Sequence, residues 1–136
     1  MPAPQVGVGV LILRDGKVFA GAPQGQSWRW LLVGARRPSR VREAVEDCAL
    51  REALEETGLA LSELRHGPFS NDVFEGRHYL TAFILAGCAE DAEARLMEPD
   101  KCDGWAWFDW ADLPEPLFAP LASLRRRGYS PFDPNR

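Results

Sequence analysis

The sequence predicts an α/β fold, a mixed sheet flanked by helices, on three observations. Val6 to Leu13 (VGVGVLIL) and His78 to Ala86 (HYLTAFILA) are β-rich apolar runs of strand length. From Glu43 to Thr57, apolar residues instead recur at three and four, the period of a helix face.

The elements follow in order. Val6 to Leu13 leads through Arg14-Asp15-Gly16-Lys17 into Val18-Phe19-Ala20, and Asp-Gly between two such runs signals a hairpin. In the helical segment Ala44, Val45, Cys48, Ala49, Ala53 and Leu54 mark the apolar face, and Gly58 supplies the stop. His78 to Ala86 is apolar enough for the middle of a sheet, whereas Gly104 to Trp110 (GWAWFDW) alternates as a half-buried strand does. After Pro114 and Pro116, Leu117 to Arg127 reads as a short amphipathic helix. Its Arg125-Arg126-Arg127 run suits a solvated C-terminus, where cations meet the negative end of the helix dipole. No internal repeat or linker interrupts the chain.

At 136 residues the chain suits one domain, residues 1–136. No apolar run reaches the roughly 18 residues of a membrane span, and Met1-Pro2-Ala3-Pro4 has no secretory pattern, so a cytoplasmic protein is expected. Cys48, Cys88 and Cys102 are odd in number and lack Cys-x-x-Cys spacing, which predicts reduced thiols rather than a disulfide framework or zinc site. A net charge of −4 argues against long nucleic acid, whose binding rests on neutralising phosphates. A small phosphorylated ligand carried with magnesium remains compatible.

Glu52, Glu55 and Glu56 stand at i, i+3 and i+4, so all three project from one turn of the helix. Their mutual repulsion costs a few tenths of a kcal/mol per pair. A bound hard cation reverses that sign, because carboxylate oxygens are the preferred ligands of ions such as Mg²⁺. A solvated helix face is the plain alternative for three glutamates alone.

The longer string Glu43 to Leu59, E-x7-REALEETGL, resembles the signature of the Nudix hydrolases at Glu43, Arg51, Glu52, Ala53, Glu55, Glu56, Gly58 and Leu59. The resemblance implies an α/β/α sandwich with a mixed, curved sheet. It implies that Glu52, Glu55 and Glu56 hold Mg²⁺, or Mn²⁺ in its place, that Arg51 orients a glutamate by an ion pair, and that the metal bridges the diphosphate of a nucleotide substrate. A glutamate then takes a proton from the attacking water. Glu52 and Glu98, the latter from another loop, are the two candidates.

GVGVLILRDGKV, Asn71-Asp72 with Phe74, HYLTAF, EPDKCDGWAWFDWADLPEPLF and RRGYSPF further resemble the small Nudix enzymes that cleave nucleoside triphosphates to monophosphate and pyrophosphate. By that resemblance Thr81, Ala119 and Leu121 approach the base, although an aromatic in a vertebrate member of the subgroup corresponds to Ala119 here. A homodimer is also implied. Two other functions compete: cleavage of ADP-ribose or a sugar nucleotide, and nucleotide binding without catalysis. His66 and His78 have no second imidazole at metal spacing and are expected at the surface or in packing.

One family feature is missing. The pattern requires glycine at position 37 in a Leu-Pro-Gly-Gly type of loop, and this chain has Ala35-Arg36-Arg37-Pro38. Glycine permits backbone angles and close approaches that arginine resists. If the turn survives, the Arg36 carbonyl is the expected metal ligand. The loop is either a basic, phosphate-gripping variant or a stretch read out of frame. Read one base later, the codons permitted for Ala22 to Arg42 can spell Arg-Arg-Lys-Gly-Ser-His-Gly-Ala-Gly-x-Trp-Ser-Val-Pro-Gly-Gly-His-Leu-Glu-Phe-Gly before rejoining at Glu43. Trp28 and Trp30 force glycine in that reading. A compensating pair of frameshifts in the gene or its recorded sequence is therefore the expectation.

Overall fold

In the computed structural model, residues 4–23, 33–36, 44–74, 76–95, 102–113 and 119–132 are described. They form strands β1 (Gln5–Arg14), β2 (Lys17–Pro23) and β3 (Val33–Arg36), helix α1 (Val45–Thr57), strands β4 (Ser62–Phe74), β5 (Arg77–Gly87) and β6 (Cys102–Asp109), a single 3-10 turn at Trp110–Asp112, and helix α2 (Ala119–Arg126). The strands make a mixed sheet in the order β4-β5-β1-β2-β6, with β3 also on β1.

β1 is the hub. One edge runs parallel to β5 from Gln5↔Tyr79 to Ile12↔Ala86. Its other edge is shared, by β3 at Val8 and Val10 and by β2 at Leu13 and Arg14, both antiparallel. The predicted hairpin turn is present, with Asp15 at φ 53° and Gly16 at φ 75°. Positive φ at both central positions is what a tight turn matched to the strand twist demands, and Asp-Gly tolerates it best.

Both faces of β1 are covered, which explains its uninterrupted apolar run. Val8, Val10 and Ile12 pack with Ile84 and with Cys48, Ala49 and Ala53 of α1. On the opposite face Leu11 packs with Phe83, Leu85 and Leu121 and Leu124 of α2. The helices thus lie on opposite sides of the sheet. α1 buries Thr57 in addition to Cys48, Ala49 and Ala53, whereas Leu54, expected on the apolar face, is 55% exposed. Small residues fill the buried stripe because α1 lies close over β1 and β3.

Gly9 is paired in register with Phe83, and a Cβ at position 9 would stand 2.8 Å from the Phe83 ring. Phe83 is itself buried in the core, packed with Leu11, Leu85 and Leu121. Gly9→Ala should therefore cost about 1–3 kcal/mol of stability through overpacking. A urea midpoint for the variant unchanged from that of the parent chain would contradict this.

Two strands depart from expectation. β4 carries Gly67-Pro68, which argues against a central strand. It is an edge strand, and its pairing with β5 shifts register between His66 and Phe69, around those two residues. β3 falls where a loop was expected. The C-terminal helix begins at Ala119, with residues 114–118 outside the described part. Arg126 and Arg127 of the arginine run are exposed, and Arg127 also donates to the Phe69 carbonyl at 2.7 Å, which ties α2 to β4.

Candidate active site

α1 opens at Ala44, whose carbonyl accepts from the Cys48 N–H at 2.9 Å, without a side-chain cap. It closes at Gly58, in the left-handed conformation at φ 74°, whose N–H donates to the Leu54 carbonyl at 3.0 Å. Thr57 completes the stop: its hydroxyl donates to the Ala53 carbonyl at 2.6 Å and accepts from the Leu59 N–H at 3.0 Å. The last turn is thereby fixed, and the glutamates ride on it.

Arg51 gathers two of them. Its Nη1 stands 3.2 Å from Glu52 Oε1 and 3.1 Å from Glu55 Oε2, so both carboxylates converge on one cationic nitrogen. Arg51 and Glu52 are largely shielded, at 15% and 17% side-chain exposure, while Glu55 is half exposed at 51%. Glu56 is partly buried. Arg36 contributes backbone to β3, which α1 packs against. Glu43 and Glu98 lie outside the described residues, as do residues 24–32 and 37–43, where the altered loop falls.

A three-carboxylate donor set has the chemistry hard divalent ions take. Among the described residues no group of three His, Cys, Asp or Glu side chains is gathered closely enough to hold an ion. Magnesium commonly uses one or two carboxylates and completes its shell with water and substrate phosphates. The donor set therefore fits such an ion as part of a shell, with Arg51 as the cation that now draws Glu52 and Glu55 together.

Arg14, read in the sequence only as a hairpin flank, has a larger part. Its guanidinium lies 4.3 Å over the Trp107 ring and donates through Nη1 to the carbonyls of Ala89 at 3.0 Å, Glu90 at 3.3 Å and Ala92 at 2.8 Å. Three residues on, the Arg95 N–H donates to the Thr57 carbonyl at 2.7 Å. The segment that leads towards Glu98 is thus pinned to the sheet at one end and to α1 at the other. Cys88, beside Arg14, is unpaired with any other cysteine; burial pushes its thiol pKa up, and the Arg14 charge offsets part of that. Cys48 is buried, and its sulfur accepts from Arg51 Nη2 at 3.9 Å.

Thr81 is buried on β5, opposite Ser70 of β4. Leu121 is buried in the core, and Ala119 is partly exposed at the first position of α2. Ser123, one turn beyond Ala119, donates its hydroxyl to Asp72 Oδ1. His66 is exposed and paired with Glu46, and His78 contacts Asn71 Oδ1 at 2.5 Å, so neither imidazole joins the glutamates. Among the described residues no helix is long and apolar enough to cross a membrane.

The family sequence profile described as NUDIX domain matches residues 3–128. A MutT NUDIX hydrolase from Burkholderia pseudomallei is similar at 31% identity and a TM-score of 0.78, over 91% of this chain and 98% of that one. The NUDIX domain of Shewanella oneidensis NrtR, solved with ADP ribose, shares the fold at 17% identity and a TM-score of 0.71, over 95% and 91%. A UDP-X diphosphatase does so at 17% and 0.66, over 96% of this chain and 66% of that one. With its glutamate-bearing helix held against a mixed sheet and its profile matched almost end to end, the chain belongs to the Nudix family and is a hydrolase.

Proposed function

We propose that this hydrolase cleaves nucleoside triphosphates to monophosphate and pyrophosphate in the presence of Mg²⁺. The observation that carries the reading is the convergence of Glu52 and Glu55 on one nitrogen of Arg51, which makes this turn a place where cationic charge is held. Nudix hydrolases generally use divalent metals. Here Glu52, Glu55 and Glu56, with the Arg36 carbonyl, are the groups that would hold one, and when bound it supplies charge neutralisation for the phosphoryl oxygens and a more acidic water.

The chain's own residues do the rest. Water adds to phosphorus, the anhydride oxygen leaves with pyrophosphate, and a carboxylate takes the water's proton. Glu52 is the first candidate for that base, because Arg51 fixes its orientation. Glu98 is the second, three positions along the sequence from Arg95, whose N–H Thr57 tethers. Thr81, Ala119 and Leu121 form the base side of the site. We further propose one domain, a cytoplasmic location and a homodimer.

ADP-ribose or a sugar nucleotide is the second reading, supported by the ADP ribose held by the NrtR domain and by the UDP-X diphosphatase fold. Nucleotide binding without turnover is a third, and the arginines at 36 and 37 favour it. A panel of nucleoside triphosphates with ordinary and modified bases, beside ADP-ribose and UDP-sugars, separates the three. Pyrophosphate release from triphosphates is expected. Turnover of the diphosphate-linked compounds alone would favour the second reading, and saturable binding without turnover in excess Mg²⁺ the third.

A further inference from the structure

Among the described residues, two buried polar atoms on the α2 side of the sheet have no hydrogen-bond partner: Ser70 Oγ and Asp72 Oδ2. Ser70 is only 1% exposed. Buried polar groups are nearly always paired, so an unfilled donor or acceptor in a packed region indicates a missing partner. Strand alternation places Ser70 and Asp72 on the same face of β4. The ladder sets Ser70 opposite Thr81 and Asp72 opposite Tyr79. From above, Ser123 of α2 holds Asp72 Oδ1, which leaves Oδ2 as the open oxygen.

Ala119 and Ser123 are four residues apart and share a face of α2. Asp72 is therefore bracketed by Thr81 and Ser70 along the sheet and by the Ala119 turn across it. An ionised carboxylate only accepts hydrogen bonds, so phosphate oxygens, which also only accept, are the wrong partners. An N–H donor is the right one. A base amino group beside a ring nitrogen or carbonyl meets both requirements here, since the Ser70 hydroxyl can donate as well as accept.

We propose that Asp72, with Ser70 beside it, is a specificity-determining residue that selects nucleobases carrying an exocyclic amino group. The inference rests on the nucleotide-hydrolase reading and adds to it the class of base. An amino group facing Asp72 Oδ2 makes a hydrogen bond to a charged acceptor, while a carbonyl oxygen in its place leaves both atoms unpaired and repelling. A discrimination of roughly tenfold to hundredfold is expected from such a contact.

The test compares kcat/KM for dCTP against dUTP and for GTP against ITP in the full chain, the Asp72→Asn variant and the Ser123→Ala variant. The parent chain should favour dCTP and GTP. Asp72→Asn keeps the shape and the Ser123 contact but turns the open acceptor into a donor, so its preference should move towards dUTP by a similar factor, while its distinction between GTP and ITP, which has only a C–H in place of the amino group, should be lost. Ser123→Ala leaves the carboxylate in place and should keep the parent preference, with melting temperatures confirming that both variants fold. Equal ratios in parent and Asp72→Asn would overturn the proposal, as would a preference for ribo- over deoxynucleotides that alone tracks Asp72, since that would assign the oxygen to the sugar. If no triphosphate is hydrolysed, the triphosphate reading fails by itself, and equilibrium binding of the same pairs still decides the role of Asp72. If hydrolysis is brisk but indifferent to the amino group, only the role of Asp72 falls.

Discussion

Glu55→Gln and Glu52→Gln should each lower pyrophosphate release from nucleoside triphosphates by about 10²–10⁴-fold, the range associated with losing a positioned acid or base. The fold should survive. Glu55 is half exposed and its bond to Arg51 spans one helical turn at the surface, a pairing worth under about 1 kcal/mol. Removing one negative charge from three within a turn also relieves repulsion of a few tenths of a kcal/mol. Activity and stability should thus separate, with kcat/KM collapsing while the melting temperature moves little. Glu52→Gln tests more, because its carboxylate is both the better shielded member of the pair and the first candidate base. If Glu98 is the base instead, Glu52→Gln should chiefly raise the metal concentration needed for half-maximal activity, and Glu98→Gln should take the larger loss in kcat. Undiminished release by all three variants would contradict the assignment of this turn to catalysis.

The second large effect concerns the loop before the helix. Restoring glycine with Arg36→Gly and Arg37→Gly should raise activity by about 10²-fold, the cost that small misplacements in an active site commonly carry. It should also tighten metal dependence, because a turn able to adopt the required backbone angles can present its carbonyl to the ion. A more complete version replaces Ala22 to Arg42 by the one-base-shifted reading. Two measurements on the parent chain decide whether the arginines are real: an intact mass of the expressed protein and resequencing of the gene against its near relatives. A mass that matches the written residues, with no compensating single-base changes, would end the frameshift explanation. The gain from glycine would then be read as repair of a natural variant. No gain from either replacement would show that the basic loop works as written.

Much of the fold was legible because its signals are local. The apolar runs of β1 and β5, the Asp15-Gly16 turn and the Gly58 stop each depend on residues adjacent in the chain. The helix was legible too, with Cys48, Ala49 and Ala53 buried as expected, although Leu54 is outside and Thr57, not assigned to the stripe, is inside. β4 was hidden because Gly67-Pro68 is compatible with a strand only at an edge and a bulge, and edges are decided by what pairs with what. The carboxylates were readable from spacing within one turn. Asp72 and Ser70 were not, because alternating polar residues on an edge strand normally face water. Only α2, whose Ser123 lies 51 positions later, turns that face into an interior. Arg14 was missed for the same reason, since the carbonyls it gathers lie 75 to 78 positions away.

The long parallel ladder between β1 and β5 bears on how the chain comes into being. Its two partners are separated in sequence by the whole of α1 and β4, so the hub of the sheet has no second edge until Gly87 has been made. Closing so large a loop is entropically slow compared with forming the Leu13–Val18 hairpin. During synthesis, therefore, the sticky first strand waits with an open side while most of the polypeptide emerges from the ribosome. Chaperone occupancy on the nascent chain should fall sharply once β5 has cleared the exit tunnel.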